Sequence, residues 1–310
     1  MTKTSKGKRL PIDYNMIDYR SINEELKKEY GQKVYKVSIN AGFTCPNRDG
    51  KLSSAGCIFC SEGGSGDFAE DSRLSITEQI EHGKLRIQKK APKCSKFIAY
   101  FQAFTNTYAP VEKLEHFFME AINHPDVVIL SIATRPDCLE DEKIELLKRL
   151  NQIKPVWVEQ GLQSIHESTA RFINRGYELS VYDDAMRRLS EAGIKVITHV
   201  ILGLPNETPE DCLATVKYVA QSGSWGIKLQ LLHILKNTPL AAYYEKNPFH
   251  IFTLEEYCEL VAKCLAIIPD TMVVHRITGD GPKKLLIEPQ WSANKKLVLN
   301  TLHTYVSAMH

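Results

Sequence analysis

This 310-residue chain predicts an α/β fold, a partial (β/α)6 TIM-like barrel with N- and C-terminal extensions. Apolar strand-like runs alternate with helical patterns through short connections, which argues for a parallel sheet covered by helices. Six such units precede residue 270, about two fewer than a closed eight-stranded barrel needs. No internal repeat or low-complexity tract interrupts them. The expected organisation is a basic N-terminal segment over 1–36, the barrel over 37–275, and an extension over 276–310 packing on the barrel.

The first strand is Val37-Ser-Ile-Asn40. Ser75-Ile-Thr-Glu78 is a capping box that opens a helix running to about Lys90. Phe97–Phe101 is a second strand, followed by a helix over 111–123. Val127–Ile132 is apolar enough for burial on both faces, and a helix over 140–152 follows it. Pro155–Glu159 is a fourth strand, and Ser180 caps a helix that stops at Gly193. Ile194–Gly203 is a fifth strand, and Thr208-Pro-Glu-Asp211 combines a cap, a first-turn proline and acids at the positive end of the helix dipole. Gly226–His233 is a sixth strand, Thr253-Leu-Glu-Glu256 opens a last long helix, and Met272–Arg276 resembles a closing strand. Barrels of this kind place chemistry at the C-terminal ends of their strands. One left open on a side admits a large substrate.

Hydrophobic content of 43% and charged content of 25% are ordinary for a soluble globular protein. No apolar run approaches the ~18 residues of a membrane span. The basic start (Lys3, Lys6, Lys8, Arg9) leads into no apolar signal region. The expectation is a cytoplasmic protein with no membrane partner. Net charge is only +2, so its distribution is more informative. Lys84, Arg86, Lys89, Lys90, Lys93 and Lys96 form an acid-free basic stretch, and Arg276, Lys283 and Lys284 begin another. With the N-terminal residues they form one phosphate-binding surface if the fold brings them together.

Three cysteines, Cys45, Cys57 and Cys60, follow the first strand as Cys-x11-Cys-Ile-Phe-Cys. A compact thiolate group suits an iron–sulfur cluster. Three ligands leave one iron of a four-iron cube open, and an open position is where a cofactor coordinates. The reading is a [4Fe–4S] cluster with S-adenosylmethionine on the fourth iron. Zinc would need another donor, and the nearest histidine, His82, lies well past Cys60 inside a helical pattern. The remaining five cysteines are scattered and read as core residues.

Polar residues gather where the strands end. Strand two leads into Gln102-Ala-Phe-Thr-Asn-Thr-Tyr108, which contains Asn106, and strand three into Thr134-Arg-Pro-Asp137. Strand four ends at Glu159-Gln-Gly-Leu-Gln-Ser164, placing Glu159 and Gln163 at the mouth. Strand five carries His199 and ends in Leu202-Gly-Leu-Pro205, where Gly203 lets backbone approach a flat ring. Strand six ends near His233. A carboxylate for ribose hydroxyls and amides for a methionine carboxylate are what bound S-adenosylmethionine needs.

Cys45, Cys57, Phe59 and Cys60 resemble the cluster motif of radical S-adenosylmethionine enzymes, in which an aromatic residue commonly precedes the last cysteine. Thr134–Asp137, Glu159–Ser164, Asn174-Arg-Gly176 and Leu202–Pro205 are similar to the branch typified by the Elongator catalytic subunit and oxygen-independent coproporphyrinogen oxidase. There are two departures. The first gap is eleven residues rather than three, and Gln102-Ala-Phe-Thr105 replaces the usual glycine pair. Phe101–Pro110 and His275–Pro282 are closer still to bacterial stand-alone Elongator-like radical proteins, associated with the wobble uridine of tRNA.

The resemblance implies conversion of 5-carboxymethylaminomethyluridine, or its 2-thio form, to 5-aminomethyluridine. A radical would form at the methylene between amine and carboxylate, with oxidation to an imine and hydrolysis to glyoxylate. It implies tRNA as partner and a reductant such as flavodoxin or ferredoxin. It assigns Phe59, Gln102, Asn106, Glu159, Gln163, His199 and Gly203 to the cofactor, and Lys89, Lys90, His233, Arg276, Lys283 and Lys284 to the substrate. The alternatives are a radical enzyme acting on a small molecule such as a porphyrin, and a non-catalytic zinc module that binds nucleic acid.

Overall fold

The computed structural model describes residues 19–279 and 281–307. Lys3, Lys6, Lys8, Arg9 and Asp280 lie outside the described residues. The strands, in chain order, are β1 (Tyr35–Ile39), β2 (Phe97–Phe101), β3 (Val127–Thr134), β4 (Val156–Gln163), β5 (Lys195–Leu202), β6 (Gly226–Leu231), β7 (Ile234–Leu235), β8 (Val273–Arg276) and β9 (Leu286–Glu288). Seven of them form one parallel sheet in the order β1-β2-β3-β4-β5-β6-β8, and β7 pairs with β9 separately, antiparallel. The expected closing strand is therefore the seventh member of the barrel sheet.

That sheet curls into a half-barrel. In a flat sheet β1 and β4 would lie about 14 Å apart at ~4.8 Å per strand. Yet Lys36 on β1 and Lys228 on β6 both reach the Glu159 carboxylate on β4 across the concave face. β1 and β8 are the two edges of this sheet and do not pair with each other, so among the described residues the barrel is open on one side.

The convex face is covered by α2 (Ile76–Gln88), α3 (Val111–Asn123), α4 (Asp141–Asn151), α6 (Leu179–Glu191), α7 (Pro209–Gln221) and α9 (Leu254–Ile267), with α10 (Lys295–Ser307) packed on α9. Their apolar faces meet strand residues such as Ile39, Leu130, Val158, Val200 and Leu229 in one continuous core. Val298, Leu302 and Val306 of α10 belong to that core. Three helix starts expected from capping signals are present, with Ser75, Thr208 and Thr253 accepting from the backbone three residues on. The helix expected at Ser180 instead begins at Leu179 behind Glu178.

Among the helices with no counterpart in the sequence expectation, α1 (Ile22–Tyr30) bears most directly on the barrel. Ser21 and Glu24 form a capping box for α1, inside the segment expected to be only basic. Leu26 of α1 packs with Val34, Ile98, Ile129, Trp157 and Ile197, and this apolar plug closes the N-terminal end of the half-barrel. Ser21 bridges in parallel to Val274, which ties the plug to the β8 edge.

Gly83, inside α2, meets β1 with no room for a side chain: a Cβ there would lie 2.3 Å from Val37 Cγ1. Replacing a helical glycine by alanine ordinarily gains up to about 1 kcal/mol. Here overpacking costs about 1–3 kcal/mol. Gly83→Ala is expected to lower the denaturant midpoint; a raised midpoint would show that α2 moves freely away from β1.

Candidate active site

Cys45, Cys57 and Cys60 sit half-buried at the C-terminal ends of the strands and line one cavity of about 260 Å³. Their loop is held by the turn after α5 (Glu167–Phe172). Ile58 N–H donates to the Ile173 carbonyl at 3.1 Å, and the Asn174 amide donates to the Gly56 carbonyl at 2.8 Å. Asn47 Nδ2 donates to the Asn174 carbonyl at 2.6 Å and lies 3.6 Å from Cys57 Sγ. Gly176, at φ 81°, permits this approach, because a Cβ would come within 2.7 Å of Asn47 Oδ1. The Asn174-Arg-Gly176 motif is thus a clamp on the cysteine loop.

Burial pushes the Cys57 thiol up to about 12, with Arg135 and Asn47 opposing, and raises Cys60 against the pull of Arg48. Thiols buried together resist ionising unless a cationic centre binds them. Among the described residues, only Glu81, His124 and Asp126 place three ligand atoms within 4.8 Å of one another. The cysteine sulfurs are spread more widely than a single zinc ion holds its ligands, and so fit a larger cluster. The Glu81 trio is filled by Lys84, which pairs with Glu81 at 2.7 Å and Asp126 at 2.5 Å.

Opposite the cysteines, the cavity floor is built from alternate residues of the strands. β4 does not stop at Glu159 but runs on to Gln163 through a register shift at Gly161, so Glu159 lies on the floor and not at the mouth. Its side chain is fully buried. Oε1 accepts from Lys36 and from Ser131 Oγ at 2.7 Å; Oε2 accepts from Lys228 and from His199 Nε2 at 2.8 Å. Burial alone would raise the Glu159 pKa, but Lys228, Lys36 and His199 hold it well below the carboxylate range. Burial, then Lys228, bring His199 down to about 4, so its ring is neutral at pH 7 and donates to Glu159. The Tyr100 ring lies between the two ammonium groups, 4.4 Å from Lys36 Nζ and 4.7 Å from Lys228 Nζ.

The expected site residues divide on this frame. Phe59, Gln102, Glu159, Gln163, His199, His233 and Arg276 line the same cavity as the three cysteines. Gln102 Nε2 donates to the Ser65 carbonyl at 2.7 Å, which anchors the loop beyond Cys60 across the mouth. Gln163 Oε1 is buried and without a partner in the cavity wall, free to meet a ligand. The His233 ring is clasped between Gly279 and Gly281: a Cβ at Gly279 would lie 2.4 Å from its Cε1, and one at Gly281 3.2 Å from its Cγ. That clasp explains the two glycines near the end of the His275–Pro282 stretch.

Four expectations meet a setting in the structure other than the one expected. Asn106 is fully buried outside the cavity, where Nδ2 donates to the Phe101 and Ala133 carbonyls and staples the end of β2 to β3. The flat ring that Gly203 approaches belongs to Phe252, 3.1 Å from where its Cβ would stand. The accommodation of Glu159 by four protein groups leaves no oxygen turned to a ribose. Lys89 and Lys90 follow α2 and precede β2, so they lie at the N-terminal end of the sheet, opposite the cysteines. Lys283 and Lys284 are exposed beside Pro282 at the cavity rim.

Sequence reasoning missed Lys36 and Lys228, and it singled out the motifs holding Arg135 and Arg175 without giving either arginine a role. The readable signal was a lone lysine within the apolar run Gly226-Ile-Lys-Leu-Gln-Leu231. Arg175 is almost fully buried and donates to the Leu162 and Ser164 carbonyls, while Arg135 donates to the Arg175 carbonyl and pairs with Asp137.

Comparison with known proteins fits this arrangement. A model of the Radical SAM superfamily matches residues 20–219, and the Radical_SAM C-terminal domain matches 224–307. The chain belongs to the radical SAM superfamily. The Bacillus subtilis (strain 168) protein YtqA is 46% identical over 295 residues, covering 94% of this chain and 91% of its own length. Elongator complex protein 3 of Schizosaccharomyces pombe is 26% identical over 177 residues, which is 56% of this chain but 32% of that protein. In fold, the archaeal Methanocaldococcus infernus Elp3 with an N-terminal deletion superposes with a TM-score of 0.68 at 18% identity, covering 89% of this chain and 63% of that one. As a radical SAM enzyme this protein uses a [4Fe–4S] cluster and S-adenosylmethionine, and the reading as a non-catalytic zinc module is set aside. No helix among the described residues is long and apolar enough to cross a membrane.

The His199 pKa of about 4 lies below its unfolded value of about 6.5. Between these values the unfolded chain binds more protons, so stability falls as pH drops through that window, by up to about 1.4 kcal/mol per pH unit. His199→Gln, which keeps a donor for Glu159, is expected to make the fall in denaturant midpoint from pH 7 to pH 5 shallower. An identical slope in the variant would contradict a neutral buried His199.

Proposed function

We propose that this enzyme converts the 5-carboxymethylaminomethyl side chain of a tRNA wobble uridine, or its 2-thio form, to 5-aminomethyl. The observation that carries the reading is a single cavity with the three cysteines at its mouth and a cationic floor beneath, in a barrel open on one side. The likeness to Elongator complex protein 3 supports a tRNA substrate. So does the rim beside the cavity, where exposed Lys283 and Lys284 stand next to Pro282. Flavodoxin or ferredoxin is the class of electron donor the reaction requires.

When bound, the cluster with S-adenosylmethionine supplies a 5′-deoxyadenosyl radical able to take a hydrogen atom from carbon. Cys45, Cys57 and Cys60 hold the cluster. Phe59, Gln102 and Gln163 meet S-adenosylmethionine in the cavity wall. The loop pinned by Gln102 shields the mouth from water. His233, fixed between two glycines, and Arg276 face the substrate.

The test is anaerobic reconstitution followed by mass spectrometry of nucleosides from tRNA that carries 5-carboxymethylaminomethyluridine. The expected result is 5-aminomethyluridine together with 5′-deoxyadenosine, both abolished in Cys57→Ala. Formation of 5′-deoxyadenosine with the nucleoside left intact on every tRNA tried would overturn the assignment and point to a small-molecule substrate.

A further inference from the structure

Five cationic side chains line the cavity: Arg48, Arg135, Arg175, Lys228 and Arg276. Four are engaged. Arg48 donates to the Cys60 and Ser61 carbonyls, Arg135 pairs with Asp137, Arg175 with Glu167, and Lys228 with Glu159. Arg276 makes no side-chain hydrogen bond or ion pair among the described residues. It is the register partner of Lys228 across β6 and β8, so both side chains project from the same face. Lys36 reaches the same floor from β1, and it and Arg276 stand on the two open edges of the sheet.

The floor therefore holds three cations around one carboxylate, and both oxygens of Glu159 are already shared among Lys36, Lys228, Ser131 and His199. Among the described residues the other carboxylate lining the cavity, Asp67, accepts from Ser61 near the cysteines, with Oδ2 2.9 Å from its hydroxyl. Like charges gathered in a low-dielectric recess repel strongly, and among the described residues no further carboxylate lines the cavity to offset them. A planar guanidinium with its donors unused is matched to a carboxylate.

We propose that Arg276, flanked by Lys228 and Lys36, is the receptor for a carboxylate at the end of the substrate side chain. The inference rests on the proposed substrate for the identity of that side chain. A backbone phosphate is tied to ribose on both sides and would have to bring a strand into the lumen. A carboxylate on a thin tether reaches the floor alone, and the tether then spans the space between the floor and the cysteines. Arg276 thus positions the reacting methylene and does not itself take part in bond breaking.

The test pairs a substrate-independent probe with kinetics. Crystals of the protein soaked in sodium bromide are expected to show anomalous density against Arg276 that is absent in Arg276→Gln. With tRNA carrying 5-carboxymethylaminomethyluridine, Arg276→Gln is expected to raise KM about tenfold to hundredfold, the loss of one charge-assisted contact. Arg276→Lys is expected to restore part of it, and the affinity for S-adenosylmethionine to remain as in the wild type. No bromide at Arg276 would overturn the receptor whatever the tRNA result. A loss of S-adenosylmethionine affinity in place of a KM effect would overturn it too, by assigning the site to the cofactor's own carboxylate. Bromide at Arg276 in a protein that leaves this nucleoside untouched would keep the receptor for another anionic substrate and refute the nucleoside assignment alone.

Discussion

The ion cluster around Glu159 is the interaction on which the interior of this half-barrel depends. A carboxylate with no solvent contact is tolerated only when its lone pairs are met by charged or strongly polar donors. Here those donors come from β1, β3, β5 and β6, so one side chain on β4 draws much of the curled sheet inward. Beneath this layer lies the apolar plug of α1, Trp157 and their neighbours; above it lie the cysteine loop and the cavity. The sheet thus places a charged floor between a dry base and a thiolate mouth.

The mouth is organised by a second set of contacts that does not involve the floor. Asn47, Asn174, Arg175 and Arg135 link the cysteine loop, the turn after α5 and the end of β3 through donors to backbone carbonyls. Such contacts fix the positions of the thiols, and Asn47 also points an N–H at Cys57. Outer hydrogen bonds of this kind tune the potential of an iron–sulfur centre as well as its position.

Much of the architecture was legible because local signals agree with the global fold. Capping boxes and buried parallel strands are local signals, and the three cysteines suit an iron–sulfur cluster better than zinc, for which no fourth donor lies near. The failures share a physical cause. The sequence expectation ends the fourth strand at Glu159, yet the lack of a side chain at Gly161 leaves room for the Gln163 amide over a register shift, and β4 continues. That displaced Glu159 from floor to mouth in the sequence reading. Lys36 and Lys228 look like ordinary strand lysines until curvature brings β1 and β6 to the same carboxylate. Asn106 and Gly203 carry residue types common in binding sites, but their partners are a carbonyl pair and Phe252, which only tertiary structure reveals. The charge of Lys89 and Lys90 was evident, but parallel topology puts them at the far end of the sheet.

One cavity joining a radical source at the mouth to an anion receptor on the floor is the central claim. It is tested most directly with tRNA whose 5-carboxymethylaminomethyluridine is deuterated at the methylene between amine and carboxylate. A single anaerobic turnover, followed by mass analysis of 5′-deoxyadenosine, is the measurement. The account predicts 5′-deoxyadenosine one mass unit heavier. Unlabelled 5′-deoxyadenosine formed alongside 5-aminomethyluridine would contradict it, because the methylene would then lie out of reach of the radical.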